Sequence, residues 1–167
     1  MKTINYIKHW EGYRKKFYLC SAGKKTIGYG RNVDDFPITA DEYRLLFPNL
    51  TISQAVIEIN KNGISELQAE KLLSAQVQGL IMLVIRTLPW YNNLSEPRQI
   101  VIIDMIYNLG LPGFRKFEKL INSIKAGDYE KAGHEIENSR YYKQTGNRAK
   151  SNADIMCTDI LPEWLEI

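Results

Sequence analysis

Glu11-Gly12-Tyr13-Arg14-Lys15-Lys16-Phe17-Tyr18-Leu19-Cys20-Ser21-Ala22-Gly23-Lys24-Lys25-Thr26-Ile27-Gly28-Tyr29-Gly30 is the stretch on which the reading of this chain turns. Tyr6, Ile7 and Trp10 precede it at helical spacing, so a helix over Thr3 to Trp10, with Thr3 as N-cap, leads into Glu11. Gly12 is the residue type that closes a helix. Phe17-Tyr18-Leu19 and Thr26-Ile27-Gly28-Tyr29 then read as two strands of a hairpin, with Ser21-Ala22-Gly23-Lys24 as its turn. This arrangement sets a carboxylate at a helix end, facing a small sheet that carries a thiol and a hydroxyl.

Outward from this stretch, three capping boxes predict helix starts. Thr39-Ala40-Asp41-Glu42 opens a short helix over Asp41 to Phe47, closed by Pro48. Thr51-Ile52-Ser53-Gln54 opens a second, with Ile52, Val56 and Ile59 on one face, ending before Gly63. Ser65-Glu66-Leu67-Gln68 opens the longest helical pattern, which runs towards Pro89. Ser95 to Leu109 is apolar on most faces and belongs at the centre of a helical lobe, ended by Gly110 and Pro112. Helices over Phe114 to Ala126, Tyr129 to Tyr142 and Asn147 to Met156 follow, and the tail with Trp164 is expected to pack on the core.

The 167 residues, 44% hydrophobic and 25% charged, suit one globular unit or two small lobes. The net charge of +3 suits an anionic polymer as partner, without distinguishing that from plain solubility. The absence of a run of eighteen apolar residues argues against membrane insertion, and Met1 to Tyr6 shows no apolar export segment. Cys20 and Cys157 do not make a disulfide framework, and Cys157 reads as a small core residue. His9 and His134 lack ligand partners at useful spacing, so no metal is expected.

Glu11-Gly12, Tyr18, Cys20, Gly23, Thr26, Gly28 and Gly30 resemble the N-terminal signature of the phage-type lysozymes, the muramidases of the T-even phage kind. Asp104 to Gly110 resembles their central buried helix, and Ser139 to Lys150 their late segment. With Gly63 to Leu73, the resemblance covers most of the chain. It implies an α+β, mainly α fold with two lobes: a small N-terminal sheet lobe over about 13–64, a long connecting helix, and a helical lobe of 1–12 plus about 65–167. The whole of 1–167 would be one lysozyme domain.

The resemblance also implies a catalytic set of Glu11, Cys20 and Thr26. Glu11 would be the general acid, and desolvation would help it keep its proton. Cys20 stands where the T-even enzymes have an aspartate; it would assist an attacking water, stabilise charge as thiolate, or attack the sugar itself. A free thiol is mostly neutral at pH 7, and Lys24 or Lys25 would lower its pKa if close. Thr26 would orient the water, giving inversion; its other reading is a plain strand residue. Gly30 would admit the glycan to the backbone. Tyr107, Asn108 and Gln144 would bind substrate or merely pack their helices. Arg148 would lie near the catalytic glutamate, or serve as a surface helix cation. Trp10 stands where the T-even enzymes have an acid and Arg31 where they have a histidine, so any ion pair of that histidine is lost or replaced.

The implied activity is peptidoglycan hydrolysis at the β-1,4 bond between N-acetylmuramic acid and N-acetylglucosamine, without cofactor or nucleic acid, by a monomer. The implied setting is a phage endolysin made in the host cytoplasm and released to the wall through a holin, or a bacterial effector with the same enzyme. A lytic transglycosylase and a wall-binding module without activity are the rival readings.

Overall fold

The computed structural model describes residues 1–165, so the last two positions of the expected 1–167 domain lie outside the described residues. The fold is mainly α with one small antiparallel sheet. The chain divides into two compact units, Ile7–Gly79 and Met1–Tyr6 with Leu80–Ile167.

The first of these, the sheet-bearing unit, starts inside helix α1 (Lys2–Glu11), which opens in the other unit. Thr3 lies within α1 rather than capping it. Beyond Gly12, strands β1 (Arg14–Leu19), β2 (Lys25–Gly28) and β3 (Arg31–Asn32) form an antiparallel sheet in the order β1-β2-β3. The expected hairpin is present, with Tyr18 opposite Thr26 and Leu19 opposite Lys25. The third strand was not expected; two residues are too few to carry a period-2 signal.

All three capping boxes are formed. Thr39 and Glu42 exchange bonds of 3.2 and 2.8 Å at the start of α2 (Ala40–Leu46). Thr51 and Gln54 do so at 3.3 and 2.9 Å before α3 (Ile52–Asn62), and Ser65 and Gln68 at 3.2 and 2.8 Å before α4 (Glu66–Thr87). The expected apolar face of α3 is corrected: Ala55 and Ile59 are buried, while Ile52 and Val56 are exposed. The inward stripe is thus the i, i+4 pair Ala55 and Ile59, which a count of large apolar residues passes over.

Gly63 joins α3 to the sheet. Its φ is +76°, and the Ile64 N–H beside it donates to the Lys15 carbonyl at 2.9 Å, covering the free edge of β1. An added Cβ on Gly63 would stand 2.1 Å from that carbonyl oxygen.

The helical unit is built around α5 (Glu96–Phe114), whose residues from Ile100 to Ile106 are all buried. Gly110, at φ 70° and ψ 157°, breaks the helix at the expected point, but a further turn containing Pro112 continues to Phe114. Helix α6 therefore begins later than expected, at Glu118–Lys125. The single helix expected over Tyr129 to Tyr142 is two: α7 (Tyr129–Glu137) and α8 (Arg140–Thr145). Ser139 separates them, its hydroxyl accepting the Tyr142 N–H at 3.1 Å as an N-cap, which competes with helix continuation.

Helix α9 (Asn147–Thr158) packs on α7 at Gly133, where an added Cβ would come 2.1 Å from Cys157 Sγ and 2.9 Å from the Ala153 carbonyl oxygen. Cys157 is half-buried beside this contact rather than a core residue. Asp159 ends α9 in the left-handed conformation at φ 62° and pairs with Arg98 at 3.2 Å while accepting the Ser95 hydroxyl. In the tail, Leu161 and Leu165 are buried as expected of a packed segment, whereas Trp164, expected to be covered, stacks on Tyr6 at 5.6 Å yet stays 38% exposed.

Replacing Gly63 by alanine is expected to lower the urea midpoint, with a cost of about 2 kcal/mol or more from the positive φ and the contact with Lys15. A wild-type midpoint in Gly63→Ala would show that β1 and α3 separate freely.

Candidate functional site

Glu11 is the last residue of α1 and is half-buried. Gly30 is the second residue of the β2–β3 turn, at φ +77°, and an added Cβ there would lie 2.7 Å from Glu11 Oε2 and 3.1 Å from its Cδ. The Glu11 carboxyl therefore fills the space a side chain at position 30 would take, and the positive φ there favours glycine.

Cys20 begins the tight turn between β1 and β2, its N–H donating to the Lys24 carbonyl at 3.0 Å and its carbonyl accepting the Gly23 N–H at 2.8 Å. The same turn aims the Lys24 and Ala22 N–H groups at the thiol and lowers its pKa, with the Thr26 hydroxyl contributing less. The Lys24 ammonium, expected to act there, also interacts electrostatically with Cys20. The Lys24 ammonium pairs with Asp35 at 2.9 Å, and the Lys25 ammonium sits 4.1 Å over the Phe17 ring. Thr26 is buried and donates to the Lys24 carbonyl at 3.0 Å, which leaves its oxygen lone pairs available to accept.

Tyr18 lies across the sheet from Thr26. Burial, the Glu11 charge and the Cys20 charge all raise its hydroxyl pKa, while Arg14 opposes them. Tyr18 thus has Glu11 and Cys20 as electrostatic neighbours. The structure brings four sequence-predicted residues into one unit: Glu11 with Gly30, and Cys20 with Thr26. A cavity of about 700 Å³ in the same unit, lined by Tyr13, Lys15, Phe47, Leu50, Glu58 and Glu66 among others, takes in none of these four.

Arg31 is buried and forms an ion pair of its own. It meets Glu42 at 2.9 Å and donates to the Phe36 and Pro37 carbonyls at 2.9 and 3.1 Å.

The helical unit holds the remaining predicted residues. Tyr107 is half-buried and Asn108 exposed on α5, and Gln144 is exposed on α8. Arg148 is not a surface cation: it is 6% exposed and grips Asp104 through Nη2 at 2.8 Å and Nε at 3.1 and 3.2 Å. Asn152 donates to Asp104 at 2.8 Å and to the Tyr141 hydroxyl at 2.9 Å, and accepts from Tyr6 at 2.9 Å. Asp104 is a functional position with only a faint sequence signal, one acid inside a run of apolar residues. Among the described residues no three His, Cys, Asp or Glu side chains gather as a metal site, and no helix is long and apolar enough to cross a membrane.

The family model for phage lysozyme matches residues 8–152. The chain is 28% identical to the pre-baseplate central spike protein Gp5 of Enterobacteria phage T4, across 98% of this chain and 29% of that protein, so it spans under a third of the spike protein's length. It is 23% identical to a protein of Dictyostelium discoideum named Probable T4-type lysozyme 2, over 95% of each chain. It is 28% identical to an endolysin of Acyrthosiphon pisum secondary endosymbiont phage 1, over 88% of this chain and 83% of that one.

Two outcomes follow from the geometry. Asp104→Asn is expected to destabilise the helical unit by about 3 kcal/mol, the cost of breaking a buried ion pair, in urea unfolding. Iodoacetamide should modify Cys20 before Cys157 at neutral pH, since the turn lowers the first thiol's pKa and burial raises the second's. Peptide mapping over a pH series reads both rates, and equal rates would mean the turn does not stabilise the thiolate.

Proposed function

The chain belongs to the phage lysozyme family, and from that premise we propose that it is a peptidoglycan muramidase, a single lysozyme domain cleaving the β-1,4 bond between N-acetylmuramic acid and N-acetylglucosamine. One observation carries this reading: the Glu11 carboxyl lies against the Gly30 backbone, and the neighbouring Tyr18 hydroxyl senses the charges of both Glu11 and Cys20.

In the proposed reaction, Glu11 protonates the glycosidic oxygen as its bond to the anomeric carbon breaks. Water held by the Thr26 hydroxyl adds to the opposite face of that carbon and gives its proton to the Cys20 thiolate. The product is an inverted hemiacetal. The lowered Cys20 pKa supports a base that is ionised below the ordinary thiol range. Gly30, Tyr107, Asn108 and Gln144 are the proposed substrate-binding residues; Arg148, expected among them, is buried on Asp104 and is proposed to act through that pair instead. We further place the protein as a monomeric endolysin, released to the wall through a holin. The match to the spike protein over 98% of this chain favours one other setting, a wall-degrading module within a particle protein.

Turbidity of purified wall tests the activity. Glu11→Gln should fold normally and lose at least about 100-fold in rate, the contribution of a general acid. Hydrolysis persisting in that variant would move the acid elsewhere, and wall binding without clearing would leave a binding module. Fresh digests of a defined oligosaccharide should show the inverted anomer by proton NMR. A retained anomer would make Cys20 a covalent nucleophile, and an anhydro product, lighter by one water, would mean transglycosylation.

If Cys20 is the base, activity should rise with pH as the thiol ionises. Cys20→Asp should keep activity and move that rise to lower pH, because an ordinary aspartate ionises near about 3.9. Full activity in Cys20→Ala would remove Cys20 from the mechanism.

A further inference from the structure

Helix α4 presents two carboxylates one turn apart, and each holds a different carrier of the site. Glu70 pairs with Lys8, which lies three residues before Glu11 on α1. Glu66 accepts the Tyr29 hydroxyl at 2.8 Å, and Tyr29 immediately precedes Gly30. Lys8 also stands over the Tyr29 ring, 5.4 Å from its centroid, so the two attachments touch each other. Tyr13 packs on the same ring at 5.9 Å and is itself tied to the Ile64 carbonyl at 2.5 Å, just ahead of α4. Tyr29 is 5% exposed, so its ring has little room to shift.

We propose that Tyr29 and Glu66, with Lys8 and Glu70, are positioning residues for the Glu11 carboxyl. The argument is geometric. The Glu11 carboxyl fills the space directly beside Gly30 that a side chain there would take, so the place of the Gly30 backbone bounds the place of the carboxyl. Gly30 has no side chain to anchor it and sits in a conformation that a glycine leaves easily. Its place is therefore set by its two neighbours, by Arg31 in the β2–β3 ladder on one side and by Tyr29, through the bond to Glu66, on the other. Glu11 itself ends a helix, and the last turn of a helix is held by few internal bonds. The Lys8–Glu70 pair secures that turn to the same two turns of α4. Acid and backbone partner are thus referred to one rigid element, which is the requirement for proton donation at a fixed geometry.

This inference rests on the muramidase reading for its kinetic test but not for its structural one. In Tyr29→Phe the ring remains and the bond to Glu66 is lost. We expect kcat on a soluble muropeptide oligomer to fall by about tenfold with KM unchanged within about twofold, the signature of misplaced chemistry rather than lost binding. Glu66→Ala should fall likewise, and the double variant should fall no further than either alone. Glu66→Gln, which still accepts from Tyr29, should restore most of the rate.

The carboxyl 13C resonance of Glu11, followed without substrate, should move in Tyr29→Phe and in Glu66→Ala but return towards wild type in Glu66→Gln. A silent wild-type enzyme would defeat the muramidase reading and leave this NMR test standing. An unchanged Glu11 resonance in Tyr29→Phe, or a rise in KM with unchanged kcat, would overturn the positioning role.

Discussion

A single buried carboxylate constrains the helical unit. Asp104 is wholly inaccessible to solvent, in a stretch otherwise made of Ile, Val and Met. An ionised group there costs several kcal/mol in lost hydration unless its oxygens are fully engaged. Arg148 and Asn152 from α9 engage them, and Asn152 is in turn bonded by Tyr141 of α8 and Tyr6 of α1. Four helices are thereby registered around one charge, and displacing any of them leaves a polar group stranded in an apolar core. The Tyr141 hydroxyl responds to this setting, since burial first and the Asp104 charge second both oppose its ionisation.

The sheet-bearing unit relies on local closure instead. Glu42 serves twice, completing the box that opens α2 and receiving the Arg31 guanidinium. A guanidinium also offers several donors in one plane, so the same side chain reaches Glu42 and the Phe36 and Pro37 carbonyls together. The sheet gains from these bonds, because β3 is only two residues long and Arg31 is one of them. With the end of β3 anchored to α2 and the edge of β1 covered by Ile64, a sheet this small is secured on both sides.

What could be read from the sequence followed the range of the interactions. Capping boxes act over four residues, and all three were legible at Thr39, Thr51 and Ser65. The hairpin was legible for the same reason. The breaks at Ser139 and after Gly110 were harder to place, because a serine N-cap and a short continued turn resemble ordinary helix in composition. The α3 face was misjudged since Ala55 buries more completely than the bulkier Val56 beside it. For the site, the spacing of Glu11, Cys20, Thr26 and Gly30 was visible through the family resemblance. The Tyr29–Glu66 and Lys8–Glu70 attachments span 37 and 62 residues, and no local pattern reports such distances.

The contact at Gly133 bears on how this sequence can vary. The position is closed from two directions, by the Cys157 sulfur and by the Ala153 backbone carbonyl. Shortening the side chain at 157 would relieve only the first, since a carbonyl oxygen cannot be substituted away. Any residue larger than glycine at 133 therefore demands that α7 and α9 move apart, and no compensating exchange at one neighbouring position supplies that. Cys157 stands under the reverse restraint, because it fills the notch that the missing side chain leaves. The two positions are thus coupled, the thiol occupying the space that a side chain at 133 would need.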